Sequence, residues 1–153
     1  MGWFARIDRF MAGGTAWLVP LVLLLTRLWV ANVFFHSGML KLSDWDSTLF
    51  LFEDEYHVPL LPPDIAAYIG TAIEIGGSTI LALGILTRPI GLLMFGFNIM
   101  AVLSYPLLWK NGFFDHQLWG AMLLMNVLWG GGFFSLDRLL SALSGRRLTL
   151  QAS

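Results

Sequence analysis

The run from Leu18 to Leu42, LVPLVLLLTRLWVANVFFHSGMLKL, constrains this chain more than any other segment. An α-helix rises about 1.5 Å per residue and a bilayer core is about 30 Å thick, so roughly 20 apolar residues cross it. The run is long enough to span, yet Arg27 stands in its middle. A charge at that depth costs on the order of 3 kcal/mol or more, so it requires a partner within the protein. Arg6 and Arg9 precede the run, but it is too long for a signal peptide and lacks a small-residue cleavage site. It therefore reads as a retained first span.

Composition agrees. Of 153 residues, 57% are hydrophobic and 12% charged, which leaves a soluble all-α protein too little polar surface to cover itself. The net charge of -1 offers nothing to a nucleic acid. With no cysteine, the chain has no disulfide, thiolate nucleophile, Cys-ligated iron–sulfur cluster or dithiol relay of its own.

The pattern predicts an all-α membrane protein: a bundle of four transmembrane helices at about 18–40, 64–86, 89–108 and 115–134, forming a single domain over 1–153. Residues 1–16 read as an interfacial segment, with Trp3, Phe4, Ile7, Phe10 and Met11 at helical spacing and Arg6, Asp8 and Arg9 polar. The acidic loop 41–63 predicts an interfacial or re-entrant helix near 44–55, opened by a Ser43/Asp46 capping box. Pro62 and Pro63 end that loop, and Pro89 suits the first turn of span three. Pro106 is expected to kink the end of span three. SLDRLLSALSGRR reads as an amphipathic C-terminal surface helix. Four spans put both termini on one side. Arg6, Arg9, Arg88, Arg138, Arg146 and Arg147 flank that side against Lys41 and Lys110 on the other, so the termini are expected in the cytoplasm.

Glu74 is the acidic residue deep inside a span, about 15 Å below the outer end of span two, and Arg27 is about 21 Å below Lys41. Counted this way the two fall at similar depth on antiparallel neighbours, which predicts an Arg27–Glu74 ion pair. Asn98 and Asn126 complete an expected midplane layer with one polar residue per helix. Lys41, Tyr105 and Asp115 form an expected second group nearer the outer mouth. Such a layer either locks the register of the bundle through interhelical hydrogen bonds or forms a site. His36, His57 and His116 lie on the outer side, with His36 on the face of span one opposite Arg27. Interfacial hydrogen bonding is expected of them, and no metal is assigned. Glu53, Asp54 and Glu55 read as a solvated face, with docking of a periplasmic partner or a cation as the alternative.

Several of these residues fall into two motifs. Arg27, Phe35, Ser37-Gly38 and Lys41-Leu42 resemble R…F..SG..KL. Glu74, Gly77, Leu83-Gly84 and Thr87-Arg88 resemble E..G…LG..TR. In this order, on consecutive spans, they resemble the DoxX family of small four-helix membrane proteins. The 41–63 loop, with Glu55-Tyr56 and Val58-Pro59, is longer than in the smallest members. The resemblance implies a bacterial inner-membrane protein. It also implies association with quinone-linked oxidoreductases, with an oxidative-stress complex of superoxide dismutase and a sulfurtransferase, or with peptide-modifying machinery in metal stress.

The first functional expectation is a redox-associated, quinone-interacting or oxidoreductase accessory subunit. Arg27, Lys41, Glu74, Asn98, Tyr105 and Asn126 would contact a quinone, with Glu74 and Arg27 as catalytic candidates and Glu74 moving protons. Without Cys or an evident flavin or nucleotide motif, electrons would come from another protein or a diffusible substrate. The alternatives are a non-catalytic scaffold that recruits partner proteins and a small-solute transporter. The expected partners are the lipid bilayer and other protein subunits or further copies of the chain.

Overall fold

The computed structural model describes residues 2–143. Arg146 and Arg147, at the end of the expected C-terminal helix, lie outside the described residues, as do the side chains of Asp8, Arg9, Phe10 and Met11. Among the described residues there is no strand. The helices are α1 (Gly2–Thr15), α2 (Leu18–Ser43), α3 (Trp45–Asp54), α4 (Pro63–Leu83), α5 (Thr87–Ser104), α6 (Leu108–Asn111), α7 (Phe113–Trp129) and α8 (Leu136–Leu143). Within α4, Ile73–Gly77 forms a π-helical turn.

The ends follow local chemistry. Gly84 closes α4 in the left-handed conformation, its N–H and that of Ile85 returning to the carbonyls of Leu81 and Ile80. Tyr105 is extended because Pro106 follows it, so α5 stops at Ser104. Pro63 occupies the first turn of α4, where its missing N–H costs nothing. The cap expected on Ser43 belongs to Asp44 instead, whose carboxylate accepts from the Ser47 N–H at 3.1 Å and hydroxyl at 2.6 Å. Ser43 is still inside α2 and donates to the Leu40 carbonyl.

Each of the four long helices sends a side chain into one core: Val30 and Phe34 from α2, Leu81 from α4, Met94 from α5 and Leu123 from α7. Phe34 meets the rings of Phe97 and Trp119 edge-on at 6.0 and 5.9 Å. A second cluster seats α3 on the first turns of α4, with Phe52 against Ala66 and Ala67. The Thr48 hydroxyl donates to the Lys41 carbonyl and so ties α3 to the last turn of α2.

Large apolar side chains cover the outside, among them Leu25, Trp29, Leu92, Leu103 and Leu128. Water would not tolerate so much contiguous apolar surface, whereas lipid requires it. Among the described residues three helices are long and apolar enough to cross a membrane: Leu18–Ser43, Pro63–Leu83 and Thr87–Ser104. The fourth long helix, α7, has 17 residues and is about 25 Å long. It packs along α5.

Candidate functional site

The site is assembled by a close approach of α2 to the middle of α4. A Cβ on Gly38 would stand 2.6 Å from Ile75 Cγ1 and 3.0 Å from Glu74 Cβ, so the approach needs glycine there. On the same side of α2, Ser37 and Lys41 are one turn apart and aim at Glu74. Lys41 Nζ stands 2.7 Å from both Glu74 carboxylate oxygens and 3.0 Å from Ser37 Oγ. Ser37 Oγ donates to Glu74 Oε1 at 3.2 Å. The Lys41 and Glu74 side chains are only 16% and 7% exposed. The π turn places Glu74 within a locally widened helix, where Ser78 donates back to the Glu74 carbonyl and Thr79 to that of Ile75. Such turns often accompany functional sites.

Arg27 is not the partner of Glu74. Its Nη1 donates to the Gly131 carbonyl at 2.8 Å and its Nη2 to that of Phe134 at 2.7 Å. The Asp137 carboxylate adds favourable charge. The depth estimate failed because it set the outer ends of spans one and two level. In the fold, α3 covers the first turns of α4, so α2 ends lower. Lys41, two residues from the end of α2, meets Glu74, which lies eleven residues or about 16 Å into α4. Arg27, fourteen residues earlier, therefore reaches the opposite end of α4. Gly84 makes room for it: a Cβ there would lie 2.7 Å from Arg27 Nη1.

Asp137, which the sequence does not single out, closes this end of α4. Its Oδ1 accepts from the Leu86 N–H at 2.7 Å. Its Oδ2 accepts from the Thr87 N–H and hydroxyl, both at 2.8 Å. Leu86 is held in the left-handed region at φ 47°, a strain these bonds offset.

The expected midplane layer also separates into distinct pairings. Asn98 Nδ2 donates to the His116 carbonyl at 2.9 Å, leaving its Oδ1 to accept from His116 Nδ1 at 2.8 Å. Asn126 Nδ2 donates to the Met122 carbonyl at 2.9 Å and to Thr26 Oγ1 at 3.3 Å. The outer group of Lys41, Tyr105 and Asp115 does not form. Lys41 turns to Glu74, Asp115 is exposed, and Tyr105 packs its ring 4.7 Å from that of Tyr56. Burial pushes the Tyr56 phenol up to about 12, with the charges of Tyr105, Glu74 and Glu55 adding to it.

Beside the Lys41–Glu74 pair lies an open crevice of about 510 Å³. Its walls include Leu42, the residue after Lys41, and Thr71 and Ile75, which bracket Glu74 along α4. Trp45 and Tyr68, their ring centroids 4.7 Å apart, form an aromatic wall. Thr71 Oγ1 is buried without a hydrogen-bond partner. Among the described residues, no three His, Asp or Glu side chains gather as a metal site would require.

No curated protein and no solved structure matches the chain. The DoxX family model matches residues 22–106, more than half of the sequence. With its apolar helices, the chain is an integral membrane protein and belongs to the DoxX family.

Proposed function

We propose that the chain is a redox-associated membrane subunit that binds a lipophilic quinone-type carbonyl compound beside Lys41 and Glu74. The observation that carries this is the crevice of about 510 Å³, whose lining residues Leu42 and Ile75 adjoin Lys41 and Glu74 of the buried Lys41–Glu74–Ser37 cluster. Binding sites for small organic molecules are mostly apolar concavities of this size with a few convergent polar groups. The Trp45–Tyr68 wall offers a ring something flat to lie on. The unpartnered Thr71 hydroxyl offers a hydrogen to a carbonyl oxygen, and the Lys41 ammonium can do so by exchanging its Ser37 contact for the ligand. Arg27, Asn98 and Asn126 leave the ligand set, because none lines the crevice and each is hydrogen-bonded away from it, although Arg27 Nε and Asn126 Oδ1 keep no partner. Electrons would come from a partner protein or a diffusible substrate, since the chain has no cysteine and no evident flavin or nucleotide motif.

A scaffold reading also has an observation behind it. Both Glu74 oxygens are already engaged by Lys41, as a pure register lock would require. Binding of a short-chain quinone analogue to purified protein separates the two. Ligand binding predicts saturable affinity that Thr71→Val and Lys41→Met weaken about tenfold. A folded protein with no saturable binding sinks the quinone reading and leaves the scaffold.

The same proposal places the chain in a bacterial inner membrane, with α7 as a fourth crossing, α3 and α8 at the interfaces and both termini cytoplasmic. The pairing of Lys41 with Glu74 supports this orientation. It removes Lys41 from the outer loop count and sharpens the excess of arginine on the inner side. Single cysteines placed in this cysteine-free chain test it. Lys110→Cys should react with an impermeant thiol reagent from the periplasm and Arg88→Cys should not; the reverse pattern refutes the orientation.

A further inference from the structure

Asp137 accepts from the Leu86 and Thr87 N–H groups and from the Thr87 hydroxyl, so it fastens the first turn of α8 to the turn between α4 and α5. The Asp137 N–H donates in return to the Gly84 carbonyl at 2.9 Å. The helices on either side of that turn are both long and apolar enough to cross a membrane, so the turn stands at a membrane face. The start of α8 is held at the same level.

Each member of the Thr87–Asp137 pair is followed by an arginine, Arg88 on α5 and Arg138 on α8. Both side chains are exposed, and among the described residues neither forms an ion pair. Among those residues Asp137 is the one carboxylate at this end, and both its oxygens are engaged. Arg88 lies along the end of α7, where a Cβ on Gly130 would stand 3.4 Å from its Nε. The Arg138 guanidinium sits 4.7 Å over the centre of the Phe133 ring. Gly130 and Phe133 belong to the short turn between α7 and α8, so the two guanidiniums border one turn. Trp129, Phe133 and Phe134 are exposed around it, and α8 adds Leu139, Leu140 and Leu143. Exposed rings of this kind sit at the level of lipid headgroups, and the leucines of an amphipathic helix reach the acyl chains.

Two cations without counter-ions, rimmed by rings and leucines, complement a molecule with a phosphate head and an apolar body. A guanidinium presents paired N–H groups to phosphate oxygens. A zwitterionic headgroup brings its own cation beside the phosphate, so it answers two positive charges less well than a headgroup of net negative charge. We propose that Arg88 and Arg138 bind the phosphate of an anionic phospholipid whose acyl chains lie against the leucines of α8. The site depends neither on the orientation of the chain nor on ligand binding at Lys41 and Glu74.

The test uses the full-length protein released from nanodiscs of phosphatidylcholine and phosphatidylglycerol in equal parts, with bound lipids counted by native mass spectrometry. The wild type should retain phosphatidylglycerol in preference to phosphatidylcholine. Arg88→Gln and Arg138→Gln should each weaken that preference about fivefold, and together about 25-fold, as expected when one and then two arginines leave an anionic surface. Arg6→Gln removes the same charge from α1 and should leave the preference unchanged. Because both arginines are exposed and unpaired, the double variant should unfold close to the wild-type temperature in phosphatidylcholine bicelles. Phosphatidylglycerol should raise that temperature for the wild type and not for the double variant. A wild type that takes the two lipids equally, a double variant that keeps the preference or the temperature rise, or an Arg6→Gln loss as large as that at Arg88 overturns the proposal.

Discussion

Removing Lys41 distinguishes its pairing with Glu74 from the Arg27–Glu74 pairing that depth alone suggests. Lys41→Met keeps most of the aliphatic stem and deletes the ammonium. Glu74, 7% exposed, then loses both 2.7 Å contacts and keeps only the Ser37 hydroxyl at 3.2 Å. Removing one member of a buried ion pair costs about 3–5 kcal/mol, and the residual 16% exposure of Lys41 places this case near about 3 kcal/mol. Glu74→Leu added to Lys41→Met removes the stranded charge, so the double variant should recover most of that loss. The coupling between the two substitutions should reach about 2 kcal/mol. Arg27 shares no partner with Glu74, so Arg27→Met and Glu74→Leu should add to within about 0.5 kcal/mol. Reversible unfolding in bicelles, followed by steric trapping, measures all of these. A coupling between Arg27 and Glu74 as large as that between Lys41 and Glu74 would refute the register assigned to α2.

Gly38→Leu should cost about 1–3 kcal/mol in the same assay, because its first carbon already meets Ile75 Cγ1 at 2.6 Å. Gly76→Ala, with no atom within 4 Å of its new carbon, should stay within about 1 kcal/mol of wild type. Asp137→Ala should lose about 2–3 kcal/mol, leaving the Leu86 and Thr87 N–H groups without an acceptor; proteolysis at the 84–87 turn should accelerate accordingly. Tyr56 gives an alkaline signature. Its folded-state pKa of about 12 lies above the unfolded value near 10. The stabilisation is therefore complete below pH 10 and is lost as pH rises toward 12. Tyr105 is also raised, by its hydrogen bond to Glu55, so phenolate absorbance should show late-titrating tyrosines of which Tyr56→Phe removes one, and a titration unchanged by that substitution would contradict the burial.

Hydropathy made the helices and their apolar exterior legible, and Arg27 and Glu74 were visible as charges that needed partners. The choice of partner was not visible, because it depends on how far α2 is shifted along α4. That shift is set by α3, whose Phe52 packs on Ala66 and Ala67 and occupies the place beside α4 where a level α2 would have continued. Ser37 and Lys41, four residues apart, carried a local signal that they shared a face, and their spacing could have pointed to Lys41 as the candidate for Glu74. Asp137 carried no such signal. It reads as an ordinary acidic residue in the first turn of α8, and its acceptor role arises only when the chain folds back by fifty residues onto Leu86 and Thr87.

The two motifs that carry the family resemblance thus serve two different places. Ser37, Gly38, Lys41 and Glu74 build the buried pair where α2 crosses the middle of α4. Arg27, Gly84 and Thr87 build a clasp at the other end, about 15 Å away along α4. The clasp closes on Gly131, Phe134 and Asp137, all beyond the matched residues 22–106. The matched segment alone would therefore leave a guanidinium without its two carbonyl acceptors inside an apolar helix. The later residues are part of what makes Arg27 tolerable, and its place in the motif follows from that clasp rather than from chemistry at Glu74. Lysine could not replace it there without loss, because the two carbonyls, three residues apart, are met by two separate nitrogens of a planar fork, whereas an ammonium donates from a single atom.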